Sequence, residues 1–120
     1  MASSVVRAVW TFTRDEDEDW VPSREPAADE NLRRAVETLL LGIASARAAQ
    51  TYLAAWSADS QRWESGFTLA TASAAAERVS PGTVRLIDLY GQFEDCDIAA
   101  HEFDAMLQDY AAAARAAESY

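Results

Sequence analysis

Apolar residues recur along this 120-residue chain with two different periods. Over residues 4–14, Val6, Ala8, Trp10 and Phe12 alternate with Val5, Arg7, Val9, Thr11 and Thr13, a period of two that predicts a strand with its large aromatics on one face. A lone strand leaves its backbone groups unpaired. It therefore needs residues 19–21 across an acidic turn, residues 66–73, or a strand of another chain. Pro22 and Pro26 then close the extended region, because proline opposes both ladder pairing and helix interiors.

From residue 27 to 57 the period changes to that of a helix. Leu32, Val36, Leu39, Ile43, Ala46, Gln50 and Leu53 follow one another in alternating steps of four and three, the seam of a single long helix packed at a shallow angle in a bundle. Gly42 lies inside this stretch, where it lets a neighbouring element approach closely. Tyr52 and Trp56, one turn apart, form a packing pair. Asp59 and Ser60 offer N-caps to a further helix, on which Trp63, Phe67, Ala70 and Ala74 mark one face to about Val79. Residues 66–73 also alternate weakly as a strand, but the run Ala74, Ala75, Ala76 favours helix through its intrinsic propensity. Ser80, Pro81 and Gly82 break the chain there, with Pro81 suited to the first position of a following helix.

Residues 83–110, TVRLIDLYGQFEDCDIAAHEFDAMLQDY, carry the clearest pattern. Leu86, Leu89, Tyr90 and Phe93 fall at i, i+3, i+4 and i+7, and Phe103, Met106, Leu107 and Tyr110 repeat that spacing after an acidic interruption. Two antiparallel helices are expected. Ile98 and Phe103 then occupy the two positions of a hydrophobic staple around an N-cap at Ala99, with Glu102 at the third helical position. The order of apolar helix, acidic turn, Ile98, small residues, Glu102 and Phe103 resembles the helical hairpin of small bacterial immunity proteins of the colicin D type. That resemblance covers about a quarter of the chain. It implies a protein that inactivates a nuclease toxin by covering its active site.

The expected architecture is mainly α: a four-helix bundle-like single domain over residues 1–120, with an N-terminal strand or short hairpin and acidic loop in residues 1–26 and the bundle in residues 27–120. Half the residues are apolar, enough for one core in a chain of this length. Charge narrows the function classes. Ten arginines and no lysine stand against twenty acidic residues, and the formal net charge of −10 opposes direct binding to nucleic acid or to an anionic membrane. A basic protein partner is expected instead.

The acids are unevenly placed. Asp15, Glu16, Asp17, Glu18 and Asp19 run together between Arg14 and Trp20, and residues 83–110 hold seven acids against Arg85 alone. Both clusters read either as solvated charge or as landing sites for an arginine- and lysine-lined cleft, with Trp20 as an anchor. The partner-binding set is therefore Asp15, Glu16, Asp17, Glu18, Asp19, Trp20, Glu94, Asp95, Asp97 and Glu102.

Catalytic chemistry finds little support. His101 is the only histidine, and Asp97 four residues before it makes at best half of a metal site. Cys96 is the only cysteine and sits among acids, which raise a thiol pKa and oppose nucleophilic activation. A phosphate-binding glycine loop and calcium-loop spacing are both missing. The expectation is a non-enzyme with no cofactor and no metal. A lone cysteine, no basic-then-apolar leader and no apolar run of membrane-spanning length point to the cytoplasm.

Two functions fit. One is an acidic inhibitor, immunity protein or antitoxin in type, that blocks a basic nucleic-acid-handling partner such as a nuclease toxin by charge mimicry. The other is a non-catalytic subunit or adaptor docking through its N-terminal strand and helical face, a homodimer through that strand included.

Overall fold

The computed structural model describes residues 8–60 and 67–118. Over them the chain forms strands β1 (Val9–Arg14) and β2 (Trp20–Glu25), helices α1 (Glu30–Leu41) and α2 (Ala46–Ser60), strands β3 (Phe67–Ala70), β4 (Ala74–Ser80), β5 (Thr83–Asp88) and β6 (Cys96–Ala99), and helix α3 (Ala100–Glu118). This corrects the expected four-helix bundle. The protein is a mixed helix-and-sheet fold with two antiparallel sheets, the hairpin β1-β2 and the meander β3-β4-β5-β6. Helices α1 and α3 each touch the hairpin and the meander, and α2 lies against α3 and β3.

The hairpin supplies the strand partner that β1 needs. Trp10 pairs with Arg24, Phe12 with Pro22 and Arg14 with Trp20. Counting in steps of two from the Asp15 N–H bond to the Asp19 carbonyl, Phe12 and Pro22 form a non-hydrogen-bonded pair. The missing N–H of Pro22 therefore faces away from β1. That is why the strand runs on through a proline, against the expectation that Pro22 would end it. The aromatic face of β1 turns inward as its alternation predicts, with Trp10 buried and Phe12 edge-on to Tyr110 at 5.3 Å. Residues 4–7 of the predicted strand lie outside the described residues, as do Trp63 and Gly66.

The predicted long helix is two helices. Asp29 caps α1, its carboxylate accepting the Leu32 N–H at 2.8 Å, and Gly42 ends it. A Cβ on Gly42 would lie 2.6 Å from the Thr71 side chain and 2.7 Å from the Ala72 nitrogen, so the β3–β4 turn crosses here only because the side chain is absent. Two aromatic donors then capture the freed carbonyls of the linker: Tyr110 Oη–H donates to Ile43 at 2.8 Å and Trp20 Nε1–H to Ala44 at 3.1 Å. Ser45 restarts the helix by accepting the Ala48 N–H at 3.1 Å. Glu118 adds a carboxylate on the Ala46 N–H at 2.7 Å. Asp59 and Ser60 lie within α2, so neither stands before a further helix as its N-cap.

The expected third helix is also replaced. Phe67 and Ala70 belong to β3, and Ala74, Ala75 and Ala76 form the buried start of β4, an inner strand hydrogen-bonded on both sides. Alanine's helical preference loses there because a strand beneath α1 must present small side chains. Ser80 and Thr83 pair across Pro81 and Gly82, so the break expected between two helices joins two strands.

Residues 83–110 do not form a helical hairpin. They run as β5, a loop, β6 and the first part of α3. In β5 the buried residues are Val84 and Leu86, two apart, and the helical stripe that Leu86, Leu89, Tyr90 and Phe93 suggested is not built. The second half of the pattern holds. Helix α3 starts at Ala100, directly after Ala99, and Phe103, Met106, Leu107 and Tyr110 are buried in the core with Ile98.

Trp56 sits at the centre of that core. It packs edge-on against Phe103 at 4.9 Å and tilted against Phe67 at 5.4 Å, and its Nε1–H donates to Asp104 at 2.8 Å. Burying so large a ring is favourable only when the indole N–H finds an acceptor, which Asp104 provides.

Candidate functional site

The acids singled out in the sequence divide by what their carboxylates touch. Glu102 is internal: its side chain is only 12% exposed, and Oε2 accepts Trp10 Nε1–H at 2.8 Å and Arg24 Nη1–H at 3.2 Å. It ties α3 to both strands of the hairpin. Trp20 is no surface anchor either. It is buried edge-on to Tyr110 at 5.6 Å, with the Arg14 guanidinium 4.6 Å above its ring.

Asp15 shapes the hairpin tip. Its Oδ1 accepts the backbone N–H groups of Asp17 and Asp19, both at 2.9 Å, and its carbonyl accepts the Glu18 N–H. Glu18 occupies the left-handed region at φ 63°, the bulge position of a three-residue hairpin loop. The side chains of Glu16, Asp17, Glu18 and Asp19 are exposed and, among the described residues, bonded to nothing.

The loop between β5 and β6 is more tightly organised. Asp88 accepts the backbone N–H groups of Gln92 at 2.9 Å, Gly91 at 2.7 Å and Tyr90 at 3.3 Å, and these bonds hold its carboxyl below the usual carboxylate range. Gly91 at φ +80° completes the turn. Asp95 Oδ1 accepts the Asp88 N–H at 2.9 Å, and Asp97 pairs with Arg85 across the β5–β6 ladder at 2.9 Å. Asn31 of α1 then docks the loop from the side. Its amide donates to the Glu94 carbonyl at 2.7 Å and accepts the Glu94 N–H at 2.8 Å, while Phe93 inserts into the core.

This framework leaves Tyr90 71% exposed and Leu89 44% exposed, and the Glu94 carboxylate, on the same loop, is exposed and free of any bond among the described residues. The spacing of Leu89 and Tyr90 predicts a buried helical stripe, which the structure does not build. The signal for their real position was Asp88 followed three residues later by Gly91, a side-chain-capped turn. Next to the loop, Glu30, Asn31, Arg34 and residues 91–94 line an open groove of about 440 Å³.

The two acidic clusters do not merge. The hairpin tip lies beyond the C-terminal end of α1, where Trp20 reaches Ala44, and the β5–β6 loop lies at its N-terminal end, where Asn31 holds Glu94. The twelve residues of α1 span about 18 Å between them.

The remaining chemistry is sparse. Burial, together with the charges of Asp29, Asp97 and Asp95, pushes the Cys96 thiol up to about 11, which opposes its use as a nucleophile. Among the described residues no group of three or more His, Cys, Asp or Glu side chains is placed to hold a metal ion, and no helix is long and apolar enough to cross a membrane. A second open groove, of about 510 Å³ between α2 and β3, is lined mostly by apolar and hydroxyl side chains, with Arg47 as its one charged group. Comparison with protein-family models, with curated proteins and with solved structures finds no match for this chain.

Proposed function

We propose that this protein is a non-catalytic inhibitor that captures a basic, nucleic-acid-handling partner protein in the cytoplasm, with the β5–β6 loop as its contact surface. One observation carries the proposal: Tyr90 and Leu89 are held exposed on a loop whose backbone is fixed by Asp88 and Asn31. Exposed tyrosine on a preorganised loop is a favourable anchor, because little conformational freedom is lost when it is buried against a partner. The Glu94 carboxylate on the same loop, within a chain of net charge −10, selects an arginine- or lysine-rich surface and speeds association. In this reading carboxylates take the places of phosphates on a nuclease toxin or a similar partner.

The test compares wild type, Tyr90→Ala and Glu94→Lys as baits in lysate of the native host at low and high salt. Neither side chain supports the fold, so both variants keep the wild-type thermal midpoint. The proposal expects a partner retained at low salt, weakened by salt and lost with either substitution. A partner bound equally by all three baits sinks it.

A further inference from the structure

Among the described residues, strand β1 has one paired edge and one open edge. The pairs Asp15–Asp19, Thr13–Val21, Thr11–Ser23 and Val9–Glu25 carry the hydrogen bonds to β2, so the N–H and C=O groups of Trp10, Phe12 and Arg14 point the other way. Among the described residues those outward groups meet no partner. Unpaired strand edges are templates for strand addition, and proteins that avoid it blunt the edge with proline or charge. The outer edge of β2 is blunted by Pro22, which has no N–H to offer. The outer edge of β1 carries no proline, and its solvent face of Val9, Thr11 and Thr13 is uncharged and β-branched.

We infer that the open edge of β1 pairs antiparallel with β1 of a second copy, making one four-stranded sheet across a twofold axis at Thr11. The edge is self-complementary: Trp10 of one copy exchanges hydrogen bonds with Phe12 of the other, and Arg14 lies opposite Ala8, so no like charges oppose each other across the ladder. On the solvent face Thr11 meets its own symmetry mate and Val9 meets Thr13, β-branched pairs of the kind that stabilise sheets. The antiparallel sense sends the two acidic tips, residues 15–19, to opposite ends of the sheet, where a parallel pair would set them side by side. Pro22 lies on the outer edge of each β2, so the sheet closes as a dimer and does not grow into a fibre.

Equilibrium sedimentation of the whole chain at low and high salt tests this directly. A dimer is expected, and it tightens as salt screens the repulsion between two chains of net charge −10. Capture of a basic partner weakens with salt, so the failure of one reading is distinguishable from the failure of the other. Arg14→Pro removes an outward N–H from β1 together with the cation over Trp20 and is expected to abolish the dimer. Arg14→Ala, which removes the same cation and keeps the N–H, retains it. In a Cys96→Ser background, Thr11→Cys is expected to cross-link to its own mate on oxidation, because opposed residues of a non-hydrogen-bonded pair stand within disulfide reach. Val9→Cys alone is not.

A chain monomeric at every concentration and salt overturns the inference. So does a dimer indifferent to Arg14→Pro, or one in which Val9→Cys cross-links and Thr11→Cys does not. Protection of the Trp10, Phe12 and Arg14 amides only when a different protein is bound assigns the edge to that partner and overturns the second copy.

Discussion

Glu102 accepts the indole N–H of Trp10 at 2.8 Å across 92 residues of sequence, and the same oxygen accepts Arg24 at 3.2 Å. One carboxylate thereby joins the start of α3 to both strands of the N-terminal hairpin. The site is largely dry, and because Arg24 keeps a second acceptor in the Pro26 carbonyl at 3.0 Å, it is the Trp10 indole that depends most on this carboxylate.

Glu102→Ala is accordingly expected to destabilise the protein by about 2–3 kcal/mol, by leaving the buried Trp10 indole N–H without an acceptor and Arg24 without its carboxylate. Glu102→Gln keeps an acceptor oxygen and costs less. Urea denaturation of the three proteins measures the difference. Equal midpoints for Ala and wild type would show that the junction contributes nothing.

Gly42→Ala sets two effects against each other. Alanine in a helical conformation gains about 1 kcal/mol over glycine, but here its Cβ falls 2.6 Å from Thr71 and 2.7 Å from a backbone nitrogen that cannot rotate away. The steric term wins, and a loss of about 1–3 kcal/mol is expected. A thermal melt that rises on substitution contradicts the close crossing of the β3–β4 turn.

Phe103 is fully buried against Trp56, and Phe103→Ala is expected to cost about 3–5 kcal/mol. Ile98→Ala, at the strand side of the same junction, costs about 2–5 kcal/mol. Calorimetry on both variants checks the values, and two unchanged midpoints would remove Ile98 and Phe103 from the core.

The β5–β6 loop should respond to acid in a defined window. The folded pKa of Asp88 lies below its ordinary value of 3.8, because the Gln92, Gly91 and Tyr90 N–H groups bind the ionised form. Its support of the loop is therefore complete above that ordinary value and decays only as pH falls through the depressed one. Amide resonances of Tyr90, Gly91 and Gln92 are expected to move together below pH 3.8. Movement centred well above that pH would mean that Asp88 does not hold the turn.

Glu18 occupies a backbone region that favours glycine, at a tip where its side chain bonds to nothing among the described residues. Glu18→Gly is expected to stabilise the hairpin by roughly 1 kcal/mol or less, since relief of the left-handed strain outweighs the extra freedom of the unfolded chain. A lower urea midpoint for this variant would place the strain elsewhere.

Local patterning determined those elements whose period and caps agree with their environment. The alternation around Trp10 and Phe12 specified β1 and its buried face. The spacing of Phe103, Met106, Leu107 and Tyr110 specified the buried stripe of α3, and the apolar seam from Leu32 to Leu39 specified α1. Gly42 and Ser45 mark a helix end and a helix start three residues apart, so the break between α1 and α2 was also written locally, although the four-and-three spacing of the seam continues across it.

Tertiary structure decided the meander. Ala74, Ala75 and Ala76 prefer a helix in isolation, and they become strand because β4 must lie flat under α1 and pair on both sides. Leu86, Leu89, Tyr90 and Phe93 satisfy a helical period by coincidence. Two of the four are buried and two face solvent, a division set by the Asp88 turn and the reach of Asn31 from another element. The candidate site followed the same rule. Charge was legible in the composition, but which carboxylates are free was not. Glu102 and Trp20 are consumed by contacts 24 to 92 residues distant, and only the folded chain shows that Glu94 and Tyr90 remain available. Hydrophobic period is a property of neighbouring residues, whereas the occupation of a carboxylate depends on donors that the fold brings from elsewhere.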